Sequence, residues 1–191
     1  MIDHKNQNIL LDIARASISN GLKQGRSLPI RLGDYPSALQ APRASFVTLQ
    51  INAQLRGCIG SLEAFRPLVE DVAENAFAAA FRDPRFPPVT EKEFDQLDYH
   101  ISILSPSEPL EFKSENDLLN KLRPGVDGLV LEEGGRRGTF LPSVWESLPH
   151  PRQFLAQLKV KAGLPADYWS NSIKVKRYVV EDVNSGSQEG L

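Results

Sequence analysis

One cysteine, one methionine, two tryptophans and three histidines are all that this chain of 191 residues holds of those types. The single cysteine, Cys58, excludes a disulfide framework within the chain. His4, His100 and His150 stand far apart, and neither Cys-x-x-Cys nor His-x-x-x-His spacing occurs. A metal site built by this chain alone is therefore not expected. There is no Gly-x-Gly-x-x-Gly fingerprint and no phosphate-loop lysine motif, so no cofactor is expected either. Neither sign of charge dominates: 22 basic against 24 acidic residues leave a net charge of -2. That is a poor footprint for a nucleic-acid-binding protein. No apolar run approaches the roughly 20 residues that cross a bilayer. Met1 to Asn8 is polar where a signal peptide would carry an apolar core. A cytoplasmic protein off the membrane is the expectation.

What is present suits a folded domain, with 41% hydrophobic and 24% charged residues. Asp3 to Asn20 repeats apolar residues at helical spacing, and Gly21 offers a stop. Leu22 to Arg43 reads as an irregular connection. Ala44 to Ile51 and Leu55 to Leu62 read as two strands of a hairpin turning at Asn52-Ala53. Pro67 opens a helix whose face runs through Val69, Val72, Ala73, Ala76, Phe77 and Ala80. Tyr99 to Leu104 is a strand, and Asn116 to Leu122 a short helix. Gly128 to Glu133 and Arg136 to Leu141 form a hairpin around Gly134-Gly135, which would pair Glu133 with Arg136 and Glu132 with Arg137. Pro151 opens a helix stopped by Gly163, and Ile173 to Val180 alternates as a last strand. The order predicts an α+β fold with a largely antiparallel sheet flanked by helices. The domain is expected over residues 1–183, with 184–191 a flexible tail.

Two stretches carry chemistry. In Leu55-Arg56-Gly57-Cys58-Ile59-Gly60, two glycines in one strand imply a bulge or the close approach of another backbone or a ligand. A regular strand would put Arg56 and Cys58 on one side, where the guanidinium favours a thiolate. One reading makes Cys58 a nucleophile, with His100 on another strand as its proton partner. The other makes Cys58 a small buried apolar residue and Arg56 a surface ion pair. In Asp83-Pro84-Arg85-Phe86-Pro87-Pro88, prolines stiffen the loop. Arg85 could then hold a carboxylate or phosphate through its planar fork, or pair with Asp83 as a helix cap.

The hexapeptide Leu55 to Gly60 resembles the signature of the AMMECR domain family, known in bacteria and archaea as AmmeMemoRadiSam system protein A. Phe46-Val47-Thr48-Leu49, Asp83 to Pro88, Ile101 to Pro106, Gly125 to Leu129, Thr139 to Pro142 with Val144-Trp145, and Lys161 to Leu164 follow the same pattern in order. The likeness spans Asn8 to Val183. It implies a two-lobed α+β domain whose hexapeptide lines a cleft, acting with a Memo-like protein and a radical S-adenosylmethionine protein. The expected site comprises Cys58, Asp83 and His100 as catalytic groups, and Arg56, Gly57, Gly60 and Arg85 as substrate-binding groups. Two readings follow: a thiol-dependent enzyme or enzyme subunit, and an adaptor in which Cys58 only packs. In this sequence Asn52-Ala53-Gln54 replaces the glycine-rich turn often found before the signature, and His100 replaces another polar residue.

Overall fold

The computed structural model describes residues 1–186. The chain forms two compact units, one made of Met1–Leu104 with the segment from Glu181 onward, the other of Ser105–Val180. The architecture is α+β, with two four-stranded antiparallel sheets.

The first unit begins with α1 (His4–Gln24). Asp3 caps it, accepting the Asn6 backbone N–H at 2.8 Å. The helix runs through Gly21 and stops at Gly25, whose φ of 67° suits glycine. Gly21 serves packing instead: a Cβ there would lie 2.3 Å from the Phe81 ring. Strands β1 (Ser45–Ile51) and β2 (Gln54–Gly60) form the expected hairpin. Helix α2 (Leu68–Phe81) buries Leu68, Val69, Val72, Ala73, Ala76, Ala79 and Ala80 in the same apolar cluster as Leu10, Ile13, Ile18, Val47, Leu49 and Ile101. Each large aliphatic chain so buried contributes about 1.5–3 kcal/mol. α3 (Glu91–Phe94), a single turn not expected from the pattern, leads into β3 (Asp98–Leu104). The sheet order is β2-β1-β3-β8, where β8 is Val180–Asn184.

Within the interior, Asp71 is buried and saturated. One carboxylate oxygen accepts from the Ser45 backbone N–H (2.8 Å), the Ser45 hydroxyl (2.6 Å) and the Asn75 amide (2.9 Å); the other accepts from Arg66 at 2.7 Å. This network ties α2 to the start of β1.

The second unit holds β4 (Glu108–Pro109), α4 (Glu115–Lys121), β5 (Gly128–Glu133), β6 (Arg136–Phe140), α5 (Pro151–Lys161) and β7 (Lys174–Tyr178), with sheet order β4-β7-β5-β6. The β5–β6 hairpin turns at Gly134 (φ 54°) and Gly135 (φ 80°) and pairs Glu133 with Arg136 and Glu132 with Arg137. Trp145 stacks on Phe154, centroids 3.7 Å apart, and donates its indole N–H to the Asp127 carbonyl at 2.8 Å.

The final alternating stretch is not one strand. β7 ends at Tyr178 and β8 starts at Val180 in the other sheet. Asn184, expected to open the flexible tail, therefore lies in β8 beside Val183. Pairing decides the matter: Val183 is buried, and the Ser185 backbone donates to the Tyr99 carbonyl at 2.9 Å. Residues 187–191 of the expected tail lie outside the described residues. No helix among the described residues is long and apolar enough to cross a membrane.

Candidate functional site

The hairpin turn places both Asn52 (φ 52°) and Ala53 (φ 61°) in the left-handed region, the backbone of a turn that matches strand twist. Pairing starts as such a turn requires, Ile51 with Gln54 and Gln50 with Leu55. It then slips: Leu49 pairs with Gly57, Thr48 with Cys58 and Phe46 with Gly60. Arg56 is the extra residue of a bulge. The expectation that Arg56 and Cys58 share a side rests on a regular strand, and the bulge breaks that alternation.

Both glycines are explained by the chain's own packing. A Cβ on Gly57 would stand 2.1 Å from the Ala79 carbonyl oxygen in α2. One on Gly60 would stand 2.3 Å from the Phe46 ring and 2.5 Å from the Ser45 carbonyl oxygen. The close approach anticipated from sequence is thus made by a helix backbone and an aromatic ring.

β2 is an edge strand, and the loop after α2 covers its edge at Cys58. Asp83, with 2% of its side chain exposed, accepts the Cys58 backbone N–H at 2.9 Å. It also accepts from the Arg85 backbone N–H (3.0 Å), Nε (3.0 Å) and Nη2 (2.7 Å). Arg85 Nη2 reaches the Cys58 carbonyl at 3.4 Å. The ion pair thereby supplies one acceptor and one donor to a single residue of the edge, as a neighbouring strand would. The Arg85 guanidinium holds the Asp83 carboxyl well below the usual carboxylate range, and the N–H groups of Cys58 and Arg85 add to the effect. Arg85 itself is 54% exposed.

Arg56 turns away from Cys58 into a different pairing. Its Nε and Nη2 grip Glu93 at 2.9 and 3.1 Å, and Nη2 also donates to the Pro87 carbonyl at 2.9 Å. Glu93 caps its own short helix through the Thr90 N–H at 2.9 Å. The Arg56 guanidinium brings the Glu93 carboxyl down to about 2. Arg56 is only 9% exposed, and its Nη1 is buried with no hydrogen-bond partner among the described residues. Phe86 lies near both arginines, its ring centroid 5.8 Å from the Arg56 guanidinium carbon and 5.6 Å from that of Arg85.

On the sheet face, Cys58 is half-buried, and the Thr48 hydroxyl donates to its Sγ at 3.2 Å. Thr48 pairs in turn with His100 on β3. His100 Nε2 meets Asp182 Oδ1 at 3.0 Å, and that oxygen also accepts from Ser102 at 2.8 Å. The contact with His100 lowers the Asp182 carboxyl below its ordinary value, and Ser102 adds to it. Cys58, Thr48, His100 and Asp182 therefore form one row across four strands. Cys58 and His100 are two strand spacings apart, about 10 Å of backbone, so the imidazole is not the direct hydrogen-bond partner of the thiol.

The structure thus gathers Cys58, Asp83 and Arg85, turns Arg56 toward Glu93, backs Gly57 and Gly60 with the fold, and sets His100 one strand beyond Thr48. Sequence reasoning missed Thr48, Glu93 and Asp182. Among the described residues no group of three or more His, Cys, Asp or Glu side chains could hold a metal ion.

Comparison with known proteins adds an independent line. A family model described as AMMECR1 matches residues 11–183. A protein of Methanothermobacter thermautotrophicus is 40% identical over 175 residues, covering 88% of this chain and 88% of its own. One of Methanocaldococcus jannaschii is 40% identical over 173 residues, covering 86% and 83%. The crystal structure of an uncharacterized protein from Pyrococcus horikoshii aligns with a TM-score of 0.82 at 36% identity, over 95% of this chain and 92% of that one.

Proposed function

We propose, for a chain that belongs to the AMMECR1 family, that it is a thiol-dependent enzyme or enzyme subunit centred on Cys58. One observation carries this reading. Asp83 and Arg85 grip both backbone polar groups of Cys58 while Sγ stays half-buried with a hydroxyl donating to it. The grip serves the backbone of the edge strand, whatever side chain stands there; the hydroxyl on Sγ is what a residue that only fills space does not need.

In this reading Cys58 is the nucleophile or the thiol that ligates a reacting group. Arg85, half exposed and fixed by Asp83, takes an anionic group of the substrate. Asp83 was expected among the catalytic groups; a carboxylate held ionised by Arg85 and fully hydrogen-bonded is better suited to positioning. His100, oriented by Asp182 on the same row, is the proposed proton carrier. Arg56, Gly57 and Gly60 support the strand rather than the substrate. The chain works in the cytoplasm with a Memo-like protein and a radical S-adenosylmethionine protein, in the manner of AmmeMemoRadiSam system protein A.

A second reading, a non-catalytic adaptor, draws on the two glycines, whose open space is filled by Ala79 and Phe46. Cys58→Ser separates the two, because it keeps the volume and removes most of the ionisable character. For a catalytic thiol, the melting temperature holds and the cellular output of the pathway collapses. Retained output with a lowered melting temperature establishes the adaptor. Co-purification of wild-type chain with the two partner classes tests the association.

A further inference from the structure

In the second unit, β7 has a neighbour along its whole length on one side only. Against β5 the pairing runs from Lys174 to Tyr178. On the other side β4 supplies two residues, Glu108 opposite Arg177 and Pro109 opposite Lys176. Contact ends where the Leu110 N–H donates to the Val175 carbonyl at 2.9 Å. The chain then leaves for α4. The Lys121 ammonium donates to the Glu111 carbonyl at 2.7 Å, and the Asp117 carboxylate accepts the Lys113 N–H at 2.8 Å. Phe112 turns to Trp169, ring centroids 5.7 Å apart.

That departure leaves a stretch of strand edge without a partner. The N–H and C=O of one strand residue point to the same side, so the Val175 N–H faces the side where its carbonyl meets Leu110. It finds no acceptor among the described residues, and no donor among them reaches the Ile173 carbonyl. A cleft of about 350 Å³ borders this edge. Leu110, Phe112, Ile173 and Val175 give it apolar surface, and Lys174 and Lys176 set two positive charges against that of Glu111. Lys176 also reaches Glu132 at 3.5 Å, whereas Lys174 has no ion pair with a described residue. Val175 is 2% exposed. A backbone donor so buried and unpaired is costly, and the position calls for an oxygen that the chain does not supply.

We infer that this cleft binds an extended peptide segment of a partner protein, one that carries an acidic residue, as a further strand beside β7. One residue of the segment accepts from the Val175 N–H and donates to the Ile173 carbonyl, the main-chain exchange by which exposed sheet edges take up peptides. An apolar side chain next to it meets Leu110 and Phe112, and a carboxylate meets the unpaired Lys174 ammonium. Lysines along an edge oppose the pairing of two identical edges, which favours a partner of opposite charge over a second copy of this chain. The inference holds under either reading of Cys58.

Amide NMR of the isotope-labelled full chain tests this with defined probes. These are a capped peptide alternating valine with aspartate, its counterpart with lysine for aspartate, and a version of the acidic peptide methylated on every backbone nitrogen. The acidic peptide shifts the amide resonances of Leu110 and of Ile173 to Val175. The lysine peptide binds more weakly, and the methylated one leaves those resonances in place. Lys174→Glu lowers the affinity for the acidic peptide about fivefold to tenfold, and Lys174→Gln lowers it less. Lys174 is exposed, so both variants keep the fold, which their unshifted resonances elsewhere verify. No shift at these amides with millimolar peptide overturns the inference, as does equal binding of the acidic and lysine peptides or full affinity in Lys174→Glu. Self-association of the free chain that shifts the same amides as its concentration rises gives the edge to a second copy and overturns it too.

Discussion

Asp83 accepts the backbone N–H of Cys58 at 2.9 Å, so a loop carboxylate occupies the place that a further strand would take beside the edge of the sheet. The same carboxylate fixes the guanidinium that reaches the Cys58 carbonyl. One ion pair thus seals the edge and aligns the strand segment that presents the thiol.

Replacing Asp83 separates those two effects. Asp83→Asn keeps an acceptor for the Cys58 N–H but loses the charge facing Arg85, and is expected to cost about 1–2 kcal/mol. Asp83→Ala loses both and leaves a buried N–H unsatisfied, for about 2–3 kcal/mol. Urea unfolding measures the order. Equal stability of both variants and the wild type would show that the clamp does not hold the strand.

Acid should loosen the first unit ahead of neutral-pH unfolding. The Asp83 carboxyl is depressed by Arg85, and the Glu93 carboxyl is brought to about 2 by Arg56. A carboxyl depressed in the folded state stabilises it above the unfolded value and loses that contribution as pH falls toward the folded one. Stability should therefore decline from about pH 4.5 toward pH 2, with Glu93 supplying about 1–2 kcal/mol of the loss. Denaturant titrations at stepped pH check this; Glu93→Gln should flatten the slope, and a slope identical to wild type would refute the assignment.

Ala53 holds φ 61° in the hairpin turn, a conformation that costs a residue with a Cβ about 1–2 kcal/mol. Ala53→Gly relieves it and should raise stability by about 0.5–1 kcal/mol after the greater freedom of glycine in the unfolded chain is subtracted. Thermal unfolding reads the gain, and a loss of stability would mean that the turn is not strained at this position.

Gly57→Ala distinguishes packing from substrate access. The added methyl would sit 2.1 Å from a helix carbonyl oxygen, and backbone cannot move aside as a side chain can. A destabilisation of about 1–3 kcal/mol is expected, together with a shift of α2 from β2. A variant as stable as wild type but inactive would instead place Gly57 against substrate.

Much of the fold was legible because its signals are local. Apolar spacing marks α1, α2 and α5, and the Gly134-Gly135 pair marks the second hairpin. The hexapeptide and the Asp83 to Pro88 loop were likewise visible as segments that composition alone would not produce. Short elements such as α3 and β4 were not, since four and two residues hold too little periodicity to read.

By itself, then, the sequence determined the α+β class, the hairpins, the absence of any disulfide, and the two segments that meet at Cys58. Only the tertiary structure decided the side chains that meet there. A one-residue bulge at Arg56 re-registers β2 against β1, and because strand side chains alternate with a period of two, that slip sends Arg56 to Glu93 and brings Thr48 to Cys58. It also decided that the last alternating stretch is shared by two sheets, with the break at Val179. Arg56 meets Glu93 37 residues on, and His100 meets Asp182 82 residues on; local patterns carry no record of such partners, nor of a slip within a hairpin.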